Sequence, residues 1–258
     1  MKLLKHLSIA ASVVVFTAGM ASAASHTMKL KIGTEGAYPP FNNLTADGQL
    51  VGFDIDIAKA LCEEMKADCE FVTQDWDGII PALIAGNFDA IIASMSITDE
   101  RKQKVDFTEK YYNTPPAVAV AKDSTLAGVT AADLAGKSIG AQSSTTHSNY
   151  AEAKFPESDV RLYPTADEYK LDLENGRVDA VVDDIIVLSE WVDSAEGSCC
   201  KVLGSLTPDP VINGEGAGIA LRKGEDELRE KFNAAIQAII ANGKYKEIND
   251  KYFAFSVY

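Results

Sequence analysis

Asp89-Ala90-Ile91-Ile92-Ala93-Ser94-Met95-Ser96-Ile97-Thr98-Asp99-Glu100-Arg101 carries the reading of the fold. Asp89 to Ala93 is a short apolar run of the kind that forms a buried strand, and polar residues follow it at once. Immediately upstream, Leu83-x-x-Gly86 reads as a helix closed by a glycine C-cap. The same order recurs 90 residues later, where Leu173-x-x-Gly176 leads into Asp179-Ala180-Val181-Val182. Chance is the competing explanation for so short a match. If the match is structural, the chain holds two halves of similar build, with a cleft at the C-terminal strand ends where open α/β sheets bind ligands.

Outward from that segment, strands and helices alternate. Lys29 to Thr34, Glu70 to Gln74 and Asp89 to Ala93 read as strands, with helices over Asp54 to Lys66 and Ile79 to Ala85. After Pro115-Pro116 come strands at Ala117 to Ala121, Ser138 to Ala141, Val160 to Tyr163 and Ala180 to Asp183. Helices begin near Ser144 and span Ala166 to Asn175. Gly218 to Leu221 is one more strand, and Glu225 to Asn242 a long amphipathic helix. This alternation predicts an α/β fold with mostly parallel sheets flanked by helices.

The 258 residues carry 24 Lys+Arg against 38 Asp+Glu, a formal charge of −14. Nucleic acid binding needs a basic patch that nothing here supplies, and an anionic membrane surface is equally disfavoured. Met1 to Ala23 reads as a secretory signal, with Lys2 and Lys5, an apolar run from Leu7 to Ala18, and Ala21-Ser22-Ala23 as the cleavage pattern. Its apolar core is shorter than the ~20 residues of a membrane span. Removing its two lysines takes the charge to −16. In an oxidising compartment Cys62 and Cys69, seven apart, suit a disulfide between a helix end and the next strand, with free thiols as the alternative. Cys199-Cys200 receives no assignment. No metal is expected, since only His26 and His147 survive processing and neither is near a cysteine pair.

Enzyme signatures are scarce: G-x-S-x-G, H-E-x-x-H and a P-loop lysine are all missing from the sequence, and Gly214-x-Gly216-x-Gly218 lacks dinucleotide-loop spacing. Candidate chemistry lies at strand ends instead. Ser94, Ser96 and Arg101 offer two hydroxyls and a guanidinium fork to a carboxylate, unless the segment is only a capped short helix with a surface arginine. Gln142-Ser143-Ser144-Thr145-Thr146 opens a helix whose free N–H groups suit an anion, a role compatible with ordinary capping. Asp183-Asp184 ends a strand, where a carboxylate can pair with an ammonium. Glu35 follows the first strand, and Tyr38 and Trp76 can clamp an alkyl chain or a cation.

With these residues in view the chain resembles the bacterial periplasmic solute-binding proteins of polar amino-acid ABC transporters, in the branch that takes lysine, arginine, ornithine, histidine and opines. The resemblance rests on Gly33 to Phe41, Gly52 to Asp56, Trp76 to Leu83, Asp89 to Arg101 and Gly218 to Lys223, in order. It implies two lobes with the second inserted into the first: 24–112 with 214–258, and 116–209, joined by hinge segments near 113–116 and 209–213. It also implies that Arg101 holds an α-carboxylate, helped by backbone N–H groups at Ser96 and Thr145. Ser94 and Asp184 would take the α-ammonium, and Tyr38 and Trp76 would sandwich the side chain with Glu35 at its far end. Ala93, Ser144 and Thr146 would line the walls. Asp54 adds negative charge or caps its helix.

An acid at the distal end fits a cationic side chain, because a charge withdrawn from water needs a partner. The expected ligand is therefore arginine, then lysine or ornithine, with an opine such as octopine as an alternative. The resemblance further implies no cofactor, an inner-membrane permease as partner, a periplasmic monomer and no catalysis. Some relatives of this fold are dehydratases acting on prephenate-like acids, which is the competing class. Such an enzyme requires a cationic pocket for a dicarboxylate, and only Arg101 is evident.

Overall fold

The computed structural model describes residues 27–258, so the expected leader, Met1 to Ala23, lies outside the described residues. Two five-stranded sheets organise the chain. The first runs, in spatial order, Ala67–Thr73, Met28–Thr34, Ala90–Ile91, Ala217–Arg222 and Val105–Tyr112. The second runs Asp159–Tyr163, Ser138–Gln142, Ala180–Asp184, Pro116–Ala121 and Cys200–Ser205. In each, three strands are parallel, and the last two join through antiparallel pairings. Helices flank both sheets, as an α/β chain with parallel strands requires.

The repeated segment marks equivalent points of the two sheets. Gly86 and Gly176, at φ +82° and +65°, follow the helices Trp76–Ile84 and Ala166–Glu174. Asp89 accepts from the Lys31 N–H at 2.9 Å, and Asp179 accepts from the Ser138 N–H at 2.8 Å. Each aspartate N–H also donates to the carbonyl of that same residue. One short motif thus enters the sheet in the same manner twice, so the match reflects architecture rather than chance.

Packing follows the apolar periodicity. The helix Asp226–Ala241 buries Phe232, Ala235, Ile236 and Ile239, a stripe at i, i+3, i+4 and i+7. The helix Phe53–Glu64 buries Ile57, Ala58 and Leu61 beside it. Phe41 stacks on Tyr112 with ring centroids 4.6 Å apart, and Phe53 meets Phe253 at 5.1 Å. The chain end is tied in by Asn113 N–H donating to Val257 O at 2.8 Å. Cys62, in the helix, is bonded to Cys69, and Cys199 and Cys200 are free thiols.

Some elements differ from the pattern. The strand expected at Glu70 begins at Ala67, so that Cys69 lies inside it. The strands Val105–Tyr112 and Cys200–Ser205 and the helices Ile185–Asp193 and Lys244–Tyr252 go unannounced. Ile185-Ile186-Val187-Leu188 has strand-like composition, but the Asp184 carboxylate accepts from the Ile186 N–H at 2.7 Å and starts a helix there. Among the described residues no helix is long and apolar enough to cross a membrane, and no cluster of three His, Cys, Asp or Glu side chains suits a metal.

Gly52 fixes the turn that carries Tyr38 against the helix that carries Asp54. Its φ is +123°, and a Cβ there stands 2.3 Å from the Phe41 carbonyl oxygen. Phe53 and Asp54 N–H groups donate to Pro40 and Phe41 carbonyls at 3.0 and 2.7 Å, which locks that approach. Gly52→Ala is therefore expected to introduce about 1–3 kcal/mol of strain. Thermal unfolding followed by circular dichroism should show a Tm lowered by about 2–12 °C. An unchanged Tm means that the turn has slack.

Candidate functional site

A small cavity lies in the cleft between the sheets. Glu35, Tyr38, Trp76, Ala93, Ser94, Ser96 and Arg101 line it from the first sheet's side, and Gln142, Thr145, Thr146 and His147 from the second's. Most of these residues leave carboxyl ends of strands. Glu35 follows Met28–Thr34, Ala93 to Ser96 follow Ala90–Ile91, and Gln142 ends Ser138–Gln142. Trp76 opens its helix, and Thr146 and His147 form the first turn of Thr146–Lys154.

Arg101 is the best-held group. Its Nη1 donates to the Ser96 carbonyl at 3.0 Å and its Nη2 to the Ser144 carbonyl at 3.1 Å. The guanidinium lies over the Trp76 ring, 5.2 Å from its centroid, and Trp76 Nε1 donates to the same Ser144 oxygen at 3.1 Å. Among the described residues no carboxylate comes within 4.0 Å of this guanidinium. Burial pulls its pKa down to about 10, and the more distant Glu100 carboxylate offsets that only in part.

Glu35 shows the converse. Its carboxylate accepts from Gln142 Nε2 at 2.6 Å, and no described cation comes within 4.0 Å. Burial raises its pKa to about 7, and the Gln142 hydrogen bond offsets that only in part. One cavity therefore holds a cation without its anion and an acid without its cation.

The remaining expected residues divide between wall and support. Ser94 lines the cavity with φ +54°, and its hydroxyl donates to Asp54 at 2.8 Å. Asp54 stands one layer back, where it also accepts from Asn42 and Tyr111, each at 2.8 Å, and burial raises its pKa to about 6. Ser144 presents its carbonyl to Arg101 and Trp76 and lines an adjoining groove instead of the cavity. Ser96 and Thr146 hydroxyls meet across the cleft at 3.4 Å.

Two expectations meet a different arrangement. Asp184 does not line the cavity: its carboxylate accepts from the Thr114 hydroxyl and the Ile186 N–H, because it also has to cap a helix. The Thr145 N–H, expected to hold an anion, donates to Ser148 Oγ at 3.2 Å in a capping box. Conversely, Gln142 and His147 line the wall without having been singled out as ligand contacts. Gln142 follows the expected strand Ser138 to Ala141 just as Glu35 follows Lys29 to Thr34, which is the available signal. His147 was weighed only as a metal ligand.

Comparison with known proteins identifies the family of the chain. Residues 30–255 match the family described as bacterial extracellular solute-binding proteins, family 3. An L-arginine-binding protein of Pseudomonas aeruginosa is 50% identical over 232 residues, covering 89% of each chain. An ABC transporter arginine-binding protein of Escherichia coli is 41% identical over 250 residues, covering 97% of this chain and 99% of the other. A solved periplasmic binding protein of Salmonella typhimurium, described as having high arginine specificity, superposes with a TM-score of 0.81 at 35% identity. It is covered in full, against 88% of this chain. These relatives are binding proteins and not enzymes, which sets the dehydratase reading aside. With its two matching sheets and the cleft cavity between them, the chain belongs to the bacterial extracellular solute-binding proteins, family 3.

Proposed function

We propose that the chain is the extracytoplasmic binding component of an ABC importer and captures a cationic L-amino acid, arginine ahead of lysine and ornithine. The observation that carries this reading is the pair of unpartnered charges, Arg101 and Glu35, lining one cavity. An amino acid with a cationic side chain supplies both missing partners at once, its α-carboxylate to Arg101 and its terminal cation to Glu35. Desolvated charges left single are costly, so this complementarity selects the ligand's ends. Tyr38 and Trp76 supply aromatic surface for the methylenes between them, and the Ser94 hydroxyl, backed by Asp54, faces the α-ammonium. The similarity to arginine-binding proteins supports the same ligand.

The lobes in this reading are 24–112 with 214–258, and 116–209, and closure occurs about hinge segments near 113–116 and 209–213. The chain crosses between the sheets at these two places, after Val105–Tyr112 and after Cys200–Ser205. Walls drawn from both lobes mean that the ligand favours the closed form. Release from the leader 1–23 into the periplasm, where the Cys62–Cys69 bond is stable, completes the assignment.

Calorimetry with arginine, lysine, ornithine, histidine, octopine and neutral amino acids tests the ligand. Saturable binding confined to acidic or apolar amino acids overturns the reading. Glu35→Gln is expected to weaken arginine by about 10- to 100-fold, from loss of a charged hydrogen bond, and to leave a neutral ligand such as glutamine nearly unchanged.

The pH dependence has a definite sign. A cationic ligand needs Glu35 ionised, so binding expels its proton when the pH is below about 7. Affinity for arginine should fall by up to about tenfold per pH unit below that point, and Glu35→Gln should flatten the profile. Arg101→Ala should weaken every α-amino acid by about 2–5 kcal/mol, and undiminished affinity places the carboxylate elsewhere.

A further inference from the structure

Asp183 is buried at 2% exposure and does not line the cavity, yet it touches two residues that do. The Tyr38 hydroxyl, from the first lobe, donates to its Oδ1 at 2.5 Å. His147 Nδ1, from the second lobe, stands 3.0 Å from the same oxygen. The Asp184 N–H donates to Oδ1 at 2.7 Å, and the Tyr169 hydroxyl donates to Oδ2. Burial alone would raise this carboxyl's pKa, but His147 and the two tyrosine hydroxyls hold it below the usual carboxylate range. Burial likewise opposes a charge on His147, and the Asp183 carboxylate outweighs it and raises the imidazole. Asp183 therefore gathers four donors, one of them arriving from across the cleft.

We propose that Asp183 is a positioning residue for capture: its carboxylate ties the cavity wall at Tyr38 in one lobe to the wall at His147 in the other, and so strengthens ligand retention without touching ligand. This rests on the two-lobed capture reading above. Of the four donors, three belong to the second lobe and stay with Asp183 whatever the lobes do. Only the Tyr38 hydroxyl comes from the first, so only this bond forms on closure and breaks on opening. Its contribution falls wholly on the closed state. A bond made only there raises the closed population and multiplies apparent affinity for any ligand that needs closure. It acts on escape rather than encounter, because the ligand enters before the bond exists.

Tyr38→Phe removes the hydroxyl and keeps the aromatic face, and Asp183→Asn removes the charge at nearly constant volume. The experiment is a double-mutant cycle on the full mature chain. Calorimetry and stopped-flow Trp fluorescence are both suitable, since Trp76 reports the interface by its contact with Ser144. The ligand is the tightest binder of arginine, lysine, ornithine, histidine and octopine for the unaltered protein. That first titration judges the cationic-ligand reading separately, and the cycle then runs on whichever ligand binds.

Tyr38→Phe is expected to weaken binding about tenfold, as for loss of one hydrogen bond to a charged acceptor. The change should lie in the dissociation rate, with the association rate and Tm little altered. Asp183→Asn should weaken binding at least as much, and the double variant no further than Asp183→Asn alone. A purely structural role lowers Tm and leaves the dissociation rate of the surviving fold unmoved. Losses that multiply independently, or a Tyr38→Phe protein that releases ligand at the parental rate, overturn the proposal.

Discussion

A guanidinium held between backbone carbonyls is the interaction on which the site depends. Arg101 takes one carbonyl from Ser96 and one from Ser144, and Trp76 covers its face. Carbonyls orient a cation but bring no net charge to neutralise it, so the group is held in place and left electrostatically unfinished. A carboxylate partner from the protein would have completed the pair. The same logic, with signs reversed, applies to Glu35, which meets an amide and not a cation. The cavity is thus polarised by what each group lacks.

The second requirement is that both sides of the cleft share the work. Ser144 belongs to the stretch after Ser138–Gln142, and its carbonyl completes the binding of two side chains from the opposite side. Ser144 itself adopts φ +58° and Ser94 φ +54°, an uncommon conformation for residues with a Cβ. Both lie in loops that leave strands toward the cleft. In Ser94 the unusual backbone accompanies a hydroxyl aimed at Asp54, and in Ser144 a carbonyl aimed across the gap.

Much of this was legible in the sequence where local chemistry and position coincide. Arg101 sits a fixed distance past an apolar strand, and Trp76 follows an aspartate that starts a helix, so both could be placed at strand ends. Asp183 and Asp184 show where such reading stops. Adjacent acids at a strand end look interchangeable, but alternation turns them opposite ways. One reaches Tyr38, Tyr169 and His147, and the other caps the following helix and meets Thr114. The strand Val105–Tyr112 was illegible for a different reason: Tyr111 and Tyr112 are both buried, which breaks the period of two. The helix Lys244–Tyr252 is mostly polar and owes its place to Tyr245 and Ile248 packing on the first sheet's core.

The internal repeat also explains why Glu35 and Gln142 meet. Lys31 and Ser138 receive the equivalent aspartates, Asp89 and Asp179, through the same pair of bonds, one to the carboxylate and one from the aspartate N–H. Counting four residues on along each strand reaches Glu35 in one half and Gln142 in the other. They are counterparts, each just where its central parallel strand gives out at the cleft. Two similar sheets facing each other across a cleft bring counterparts together, and here the facing pair bonds at 2.6 Å. Were both positions acidic, like charges would face each other across the cleft. With a carboxylate facing an amide, the repeat supplies a contact across the cleft and still leaves one negative charge without a cation beside it.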